Sequence, residues 1–103
     1  IEKQSFISAG VIINPQVKIG LGCIINTGAI IEHDCSIGEF THIAPGAVLA
    51  GNVSIGVGCI IGANAVIKQG VKVGDNVIIG AGAVVLKNLN SNKTFVGNPA
   101  KQI

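Results

Sequence analysis

The chain has 103 residues, 49% of them hydrophobic, with three aromatics and a formal charge of +2; lysine supplies every basic side chain and arginine is absent. That length allows one domain. Composition excludes a nucleic-acid binder of the usual kind, which needs clustered basic residues among stacking aromatics, and no apolar run approaches a membrane span.

In chain order, the first regularity starts at Ile7. From there to Val85 every sixth residue is a branched aliphatic: Ile7, Ile13, Ile19, Ile25, Ile31, Ile37, Ile43, Leu49, Ile55, Ile61, Ile67, Val73, Ile79 and Val85. Two residues before each lies a smaller one, running from Ser5, Val11 and Val17 to Val71, Val77 and Ala83. Helices repeat every 3.6 residues and plain strands every 2, so neither gives a period of six. Short strands joined by tight corners do, each sending one large and one small residue into a shared interior. The expected fold is an all-β parallel β-helix. Gly20, Gly38, Gly56 and Gly74 recur at eighteen residues, so three hexads make one coil of a triangular prism, with coils stacked about 4.8 Å apart. Gly28, Gly46 and Gly82, with Asn64, mark one corner where the backbone turns at positive φ.

The residue between each small and large position points outward, and these residues sort by face. The first face shows Lys18, Ser36, Ser54 and Lys72; the second Ile24, His42, Ile60 and Ile78; the third Ile12, Ile30, Val48, Val66 and Val84. Two apolar outer faces form a large patch on a monomer. A closed ring in which the second face of one subunit meets the third face of the next removes it, and the expected assembly is a homotrimer. Cys23, Cys35 and Cys59 read as small core residues. Cys23 and Cys59 share a column but lie two coils, roughly 9 to 10 Å, apart, too far for a disulfide. A reducing, cytoplasmic setting follows as the expectation.

The polar residues that interrupt this pattern gather in one coil: Asn26, Glu32, His33, Asp34 and His42. His33 and Asp34 occupy the corner after the third face; Asn26 and His42 lie diagonally on the second. Within one prism that corner points away from the second face, so the two sets meet only across a subunit boundary. A histidine at a corner is by default a polar turn residue, Asp34 an Asx-type turn residue, and His42 a relief in an apolar interface; two histidines in one coil and none elsewhere weigh against coincidence. Cys35 follows Asp34 but occupies an inward position, which rules it out as a nucleophile. After Val85 the register fails, since position 91 is a serine and the stretch from Asn88 to Lys93 is turn-like. The expected division is a β-helix over residues 1–88 and a segment over 89–103 folding back to cover the last open edge.

The hexads resemble those of the hexapeptide-repeat acyltransferases, whose β-helix is left-handed. The stretch from Asn26 to Asn52, with its Ile-Glu-His-Asp-Cys-Ser-Ile-Gly-Glu-Phe-Thr-His-Ile-Ala-Pro-Gly core, is similar to a narrower branch. That branch comprises the sialic-acid O-acetyltransferases and the sugar-nucleotide N-acetyltransferases of the bacillosamine pathway. The tail Phe95-Val-Gly-Asn-Pro-Ala-Lys resembles theirs as well. The resemblance implies acetyl-CoA as co-substrate, a sugar acceptor and no metal. It implies His33 as general base, Asp34 orienting it, Asn26 and His42 lining the site, and the Gly51 amide binding the thioester carbonyl. The period agrees, because 51 is one coil beyond 33, and the column continues to Gln69 and Lys87. Three coils span roughly 14 Å, the reach of a pantetheine arm, with Lys87 at the phosphates and Lys68, Lys93 and Lys101 as competitors. The family carries an N-terminal sugar-nucleotide domain not found in this sequence, so a fragment of a longer protein is expected, whose activity without that domain stays open. Two rival functions stand beside this one. A γ-type carbonic anhydrase needs three histidine ligands where this chain has two. A non-catalytic module is the other; ice binding would want threonine arrays on the polar face, whereas a trimerising scaffold fits the apolar faces.

Overall fold

Each hexad forms one two-residue strand in the computed structural model, which describes residues 4–103. The strands stack into three parallel sheets. On the second face run β1 (Phe6–Ile7), β4 (Ile24–Ile25), β7 (His42–Ile43), β10 (Ile60–Ile61) and β13 (Ile78–Ile79); on the third, β2 (Ile12–Ile13), β5 (Ile30–Ile31), β8 (Val48–Leu49), β11 (Val66–Ile67) and β14 (Val84–Val85). The first face holds β3 (Lys18–Ile19), β6 (Ser36–Ile37), β9 (Ser54–Ile55) and β12 (Lys72–Val73). Partners such as Ile24, His42, Ile60 and Ile78 are eighteen positions apart, as the period requires. The fold is a left-handed parallel β-helix of hexapeptide repeats.

The interior is built from the periodic columns. Ile25, Ile43, Ile61 and Ile79 stack on one side, Ile31, Leu49, Ile67 and Val85 on another, and Ile19, Ile37, Ile55 and Val73 on the third, all buried. Each such side chain withdrawn from water contributes about 1.5–3 kcal/mol. Corners turn through one positive-φ residue per hexad: Gly10, Gly28, Gly46, Asn64 and Gly82 between the second and third faces; Gln16, Asp34, Asn52 and Gly70 between the third and first; Gln4, Gly22, Phe40, Gly58 and Asn76 between the first and second.

The small column of the second face has a second job. Ser5 Oγ, Cys23 Sγ, Thr41 Oγ1 and Cys59 Sγ donate to the carbonyls of Gly20, Gly38, Gly56 and Gly74 at 2.9, 3.1, 2.8 and 3.0 Å. Thr41 Oγ1 also accepts the Cys59 amide at 3.1 Å. An unpaired acceptor away from water is costly, and four successive coils place a small donor here, while the fifth carries Val77. All three cysteines are free and buried. Burial pushes the Cys35 and Cys59 thiols above their ordinary range.

Beyond Val85 the register changes in a specific way. Leu89 bridges Val73, and Thr94 and Phe95 pair with Ile78 and Ile79, sixteen positions away in place of eighteen. Two residues are missing from one corner, after which Leu89 and Phe95 extend two of the inner columns. Side chains serve as acceptors there: Asn88 Oδ1 takes the Lys72 amide at 2.8 Å and Ser91 Oγ takes the Asp75 amide at 2.8 Å. The strand β15 (Thr94–Val96) then pairs antiparallel with β16 (Lys101–Gln102), while Gly97 and Ala100 bond Val84. Residues 89–103 thus cover the last coil's edge on all three faces.

Replacing Thr41 by the near-isosteric valine strands the Gly56 carbonyl and the Cys59 amide. Thr41→Val should cost about 1–3 kcal/mol in equilibrium urea unfolding; an unchanged midpoint would show that the donor column does not matter to the fold.

Candidate active site

The corner between the third and first faces has a fixed need, a residue tolerating positive φ, and a free choice beside it, an outward side chain. Asp34 fills the first at φ 62° and His33 the second. Their side chains meet, Nδ1 of His33 lying 3.0 Å from Asp34 Oδ2, with the two about half exposed, at 52% and 50%. A carboxylate accepts, so the geometry assigns the proton to Nδ1 and leaves a lone pair on Nε2.

The Nε2 edge of His33 lies over Gly51. A methyl group placed on Gly51 would stand 2.6 Å from Nε2 and 2.7 Å from Cε1, closer than atoms pack. The missing side chain is what lets the imidazole lie against the next coil. The corners are locked in register by the Asn52 amide donating to the His33 carbonyl at 2.9 Å and the Gly70 amide to the Gly51 carbonyl at 3.0 Å. The amide of Gly51 itself donates to no group among the described residues. An imidazole lone pair and an unused backbone donor are therefore neighbours on one edge.

On the second face Asn26 Nδ2 lies 3.2 Å from His42 Nε2. Asn26 Oδ1 accepts the Thr27 amide at 2.8 Å, which turns its amino group toward the ring and makes His42 Nε2 the acceptor. The two pairs, His33 with Asp34 and Asn26 with His42, do not touch within the chain; they occupy different faces, as the eighteen-residue register dictates. Asn14 Nδ2 donates to Glu32 Oε1 at 3.1 Å, so Glu32 is held one coil toward the N-terminus, away from Gly51.

Gln69 lies exposed at the next corner of the His33–Gly51 column. Lys87 falls in the shortened corner, on the rim of an open cleft of about 500 Å³ whose walls also carry Lys93 and Lys101 and whose floor includes Leu89, Phe95 and Ala100. Sequence reading set these three lysines in competition. The structure brings them to one cleft, because the two-residue shortening draws the C-terminal hairpin back over the coil end. The fourth candidate, Lys68, is exposed on the corner beside Gln69. Among the described residues no three His, Cys, Asp or Glu side chains are grouped closely enough to hold a metal ion.

Comparison with known proteins follows the same columns. The bacterial transferase hexapeptide model, of six repeats, matches residues 34–69 and 52–87. Among solved structures, the acetyltransferase domain of PglB from Neisseria gonorrhoeae, in complex with acetyl coenzyme A, is 37% identical with a TM-score of 0.91, covering 99% of this chain and 53% of that one. A histidine-to-alanine mutant of GDP-perosamine N-acetyl transferase from Caulobacter crescentus, in complex with CoA and GDP-perosamine, is 37% identical with a TM-score of 0.92, covering 99% and 51%. Serine acetyltransferase from Neisseria gonorrhoeae is 34% identical with a TM-score of 0.85, covering 91% and 41%. The chain spans about half the length of the first two proteins it matches.

Gly51→Ala tests the contact at the corner. The fold should persist, because position 51 lies outside the inner columns, while the His33 ring is displaced. Imidazole NMR resonances of His33 should move and those of His42 stay; unmoved His33 signals would mean that the ring does not rest on Gly51.

Proposed function

The chain belongs to the hexapeptide-repeat bacterial transferases, and from that membership we propose that it is the acyl-transfer domain of an acetyl-CoA-dependent acetyltransferase. Its acceptor is an amino or hydroxyl group on a sugar, carried by a nucleotide or as a sialic acid. The observation that carries the reading is the His33–Asp34 pair seated against Gly51, whose amide has no other use. The relatives crystallised with acetyl coenzyme A, or with CoA and GDP-perosamine, support both substrate classes.

Asp34 holds the Nδ1 proton, so His33 Nε2 takes the proton of the acceptor nitrogen or oxygen as that atom attacks the thioester carbon. The Gly51 amide receives the developing oxyanion. When the C–S bond breaks, the imidazolium returns its proton to the departing CoA sulfur, and the acetyl group stays on the acceptor. A covalent enzyme intermediate has no support, since every cysteine is buried. From Gly51 the pantetheine arm follows the exposed corner past Gln69 to Lys87, where Lys93 and Lys101 stand ready for phosphate. Without arginine, lysine charge and backbone amides must carry that contact.

The apolar second and third faces support a homotrimer in which Asn26 and His42 of one subunit face His33 of the next. Three free, buried cysteines suit a reducing compartment, and the proposed location is the cytoplasm. The likeness to serine acetyltransferase makes a free hydroxyl amino acid the rival acceptor, so assays should include serine beside nucleotide sugars.

In the full-length protein His33→Ala should lower kcat by about 10² to 10⁴ and leave acetyl-CoA affinity unchanged. Near-normal turnover would reduce His33 to a turn residue. Light scattering should give a trimer that Ile60→Asp with Val66→Asp dissociates; a monomeric wild type would remove the shared site. Lys87→Ala should weaken CoA binding more than pantetheine binding, because pantetheine lacks phosphates; equal losses would move the phosphate contact to Lys68, Lys93 or Lys101.

A further inference from the structure

Every non-glycine residue at positive φ is a glutamine, asparagine or aspartate, with one exception among the described residues: Phe40, at φ 57°. Its column otherwise holds Gln4, Gly22, Gly58 and Asn76. A left-handed conformation costs a side-chain-bearing residue roughly 1–2 kcal/mol, so the corner itself favours glycine or asparagine here. The ring does not recover that cost in the core, for Phe40 is 60% exposed. It lies flat along the corner over Gly22, where an added methyl would stand 2.6 Å from its Cδ1 and 2.7 Å from its Cε1. The chain thus holds an exposed aromatic face in an unfavourable backbone conformation, a combination that clusters at functional sites.

We infer that the Phe40 ring of one subunit forms part of its neighbour's acceptor site, as an apolar platform for the C–H face of a hexose ring. The inference rests on the acetyltransferase and trimer reading above. The second and third faces share the corner of Gly28, Gly46, Asn64 and Gly82. Closing three prisms with those faces inward turns that corner to the three-fold axis. At the outer rim of each interface the His33–Asp34 corner of one subunit then stands against the second face of the next, the face that begins at the Phe40 corner. Residues 33 and 40 differ by less than half a coil, about 2 Å along the axis at the strand spacing, so they stand level. His42, two residues beyond Phe40 on the second face, enters the same rim.

Direction separates the two substrates. From His33 the column Gly51, Gln69 and Lys87 runs toward the C-terminal end. The Phe40 ring leans the other way, over Gly22, one coil toward the N-terminal end. It therefore flanks the base on the side opposite the CoA path, which is the side left for the acceptor. The negative face of an aromatic ring attracts the partly positive C–H face of a pyranose; a small amino acid such as serine has no such face to offer.

The test uses the full-length protein with acetyl-CoA and two probes, GDP-perosamine and a UDP-linked 4-amino hexose. Phe40→Gly should keep the trimer, the acetyl-CoA affinity and a melting temperature at or above wild type, while KM for the sugar nucleotide rises about tenfold. A drop in melting temperature or loss of the trimer would show that the ring serves packing; an unchanged KM would show that it touches no acceptor. Co-assembly of His33→Ala subunits with Phe40→Gly subunits places an intact His33 opposite an intact Phe40 in mixed trimers. Low-KM turnover that neither variant shows alone is expected, and its absence would overturn the placement across the boundary. If wild type acetylates neither probe, the sugar acetyltransferase reading fails and the inference falls with it; if wild type is active and Phe40→Gly matches it, the inference alone fails.

Discussion

The backbone ladder is the constraint on which everything else depends. Along the strands an amide bonds the carbonyl seventeen residues ahead, as Ile12 does to Ala29 and Ile30 to Ala47; at the corners it bonds nineteen behind, as Asp34 does to Pro15 and Asn52 to His33. Up to Val85 these two offsets close only if each coil is eighteen residues long. Each sequence position then belongs to one column, and one inserted residue would turn a buried isoleucine outward while carrying His33 off Gly51. The same rule keeps like sizes stacked: Ala29, Ala47, Ala65 and Ala83 lie buried in one column.

A prism of this kind keeps stability and chemistry on different atoms. The inner columns and the small donors hold the fold, whereas His33, His42 and Phe40 project outward and contribute little to it. Asp34 belongs to both sets. Its backbone fills a positive-φ corner that asparagine would fill equally well, and its carboxylate fixes the tautomer of His33. The pairing of a strained turn with an orienting carboxylate needs adjacent residues alone, which is why so small a scaffold can present a positioned imidazole.

The three faces, their outward residues and the His33–Gly51 column were legible in the sequence, because a strict period converts position directly into space. The His33–Asp34 and Asn26–His42 contacts were legible as neighbourhoods, though their hydrogen-bond directions were not. The resumed register at Leu89 was hidden by counting from Val85 in unbroken sixes. The spacing of six between Leu89 and Phe95 was the available signal, and two missing corner residues masked it. The donor role of Cys23, Thr41 and Cys59 was beyond reach, since it depends on which way the glycine carbonyls turn. Phe40 sat in plain view as a corner residue, but its positive φ becomes anomalous only beside the other corners.

A single chain carries the His33–Asp34 pair and the Asn26–His42 pair on two parts of its surface that face apart. The fold allows no other arrangement: a ligand groove cannot form inside a prism whose interior is filled with stacked isoleucines, and a lone convex corner excludes little water. Around His33, concavity would come from the meeting of two prisms. In the proposed trimer the apolar faces supply the association energy, the outer rims supply the walls, and the three-fold operation repeats one pocket three times. In that proposal the exposed apolar residues and the divided polar ones are two consequences of one geometry, for the surface that would drive assembly would also bring His33, the Gly51 amide and Phe40 to one place.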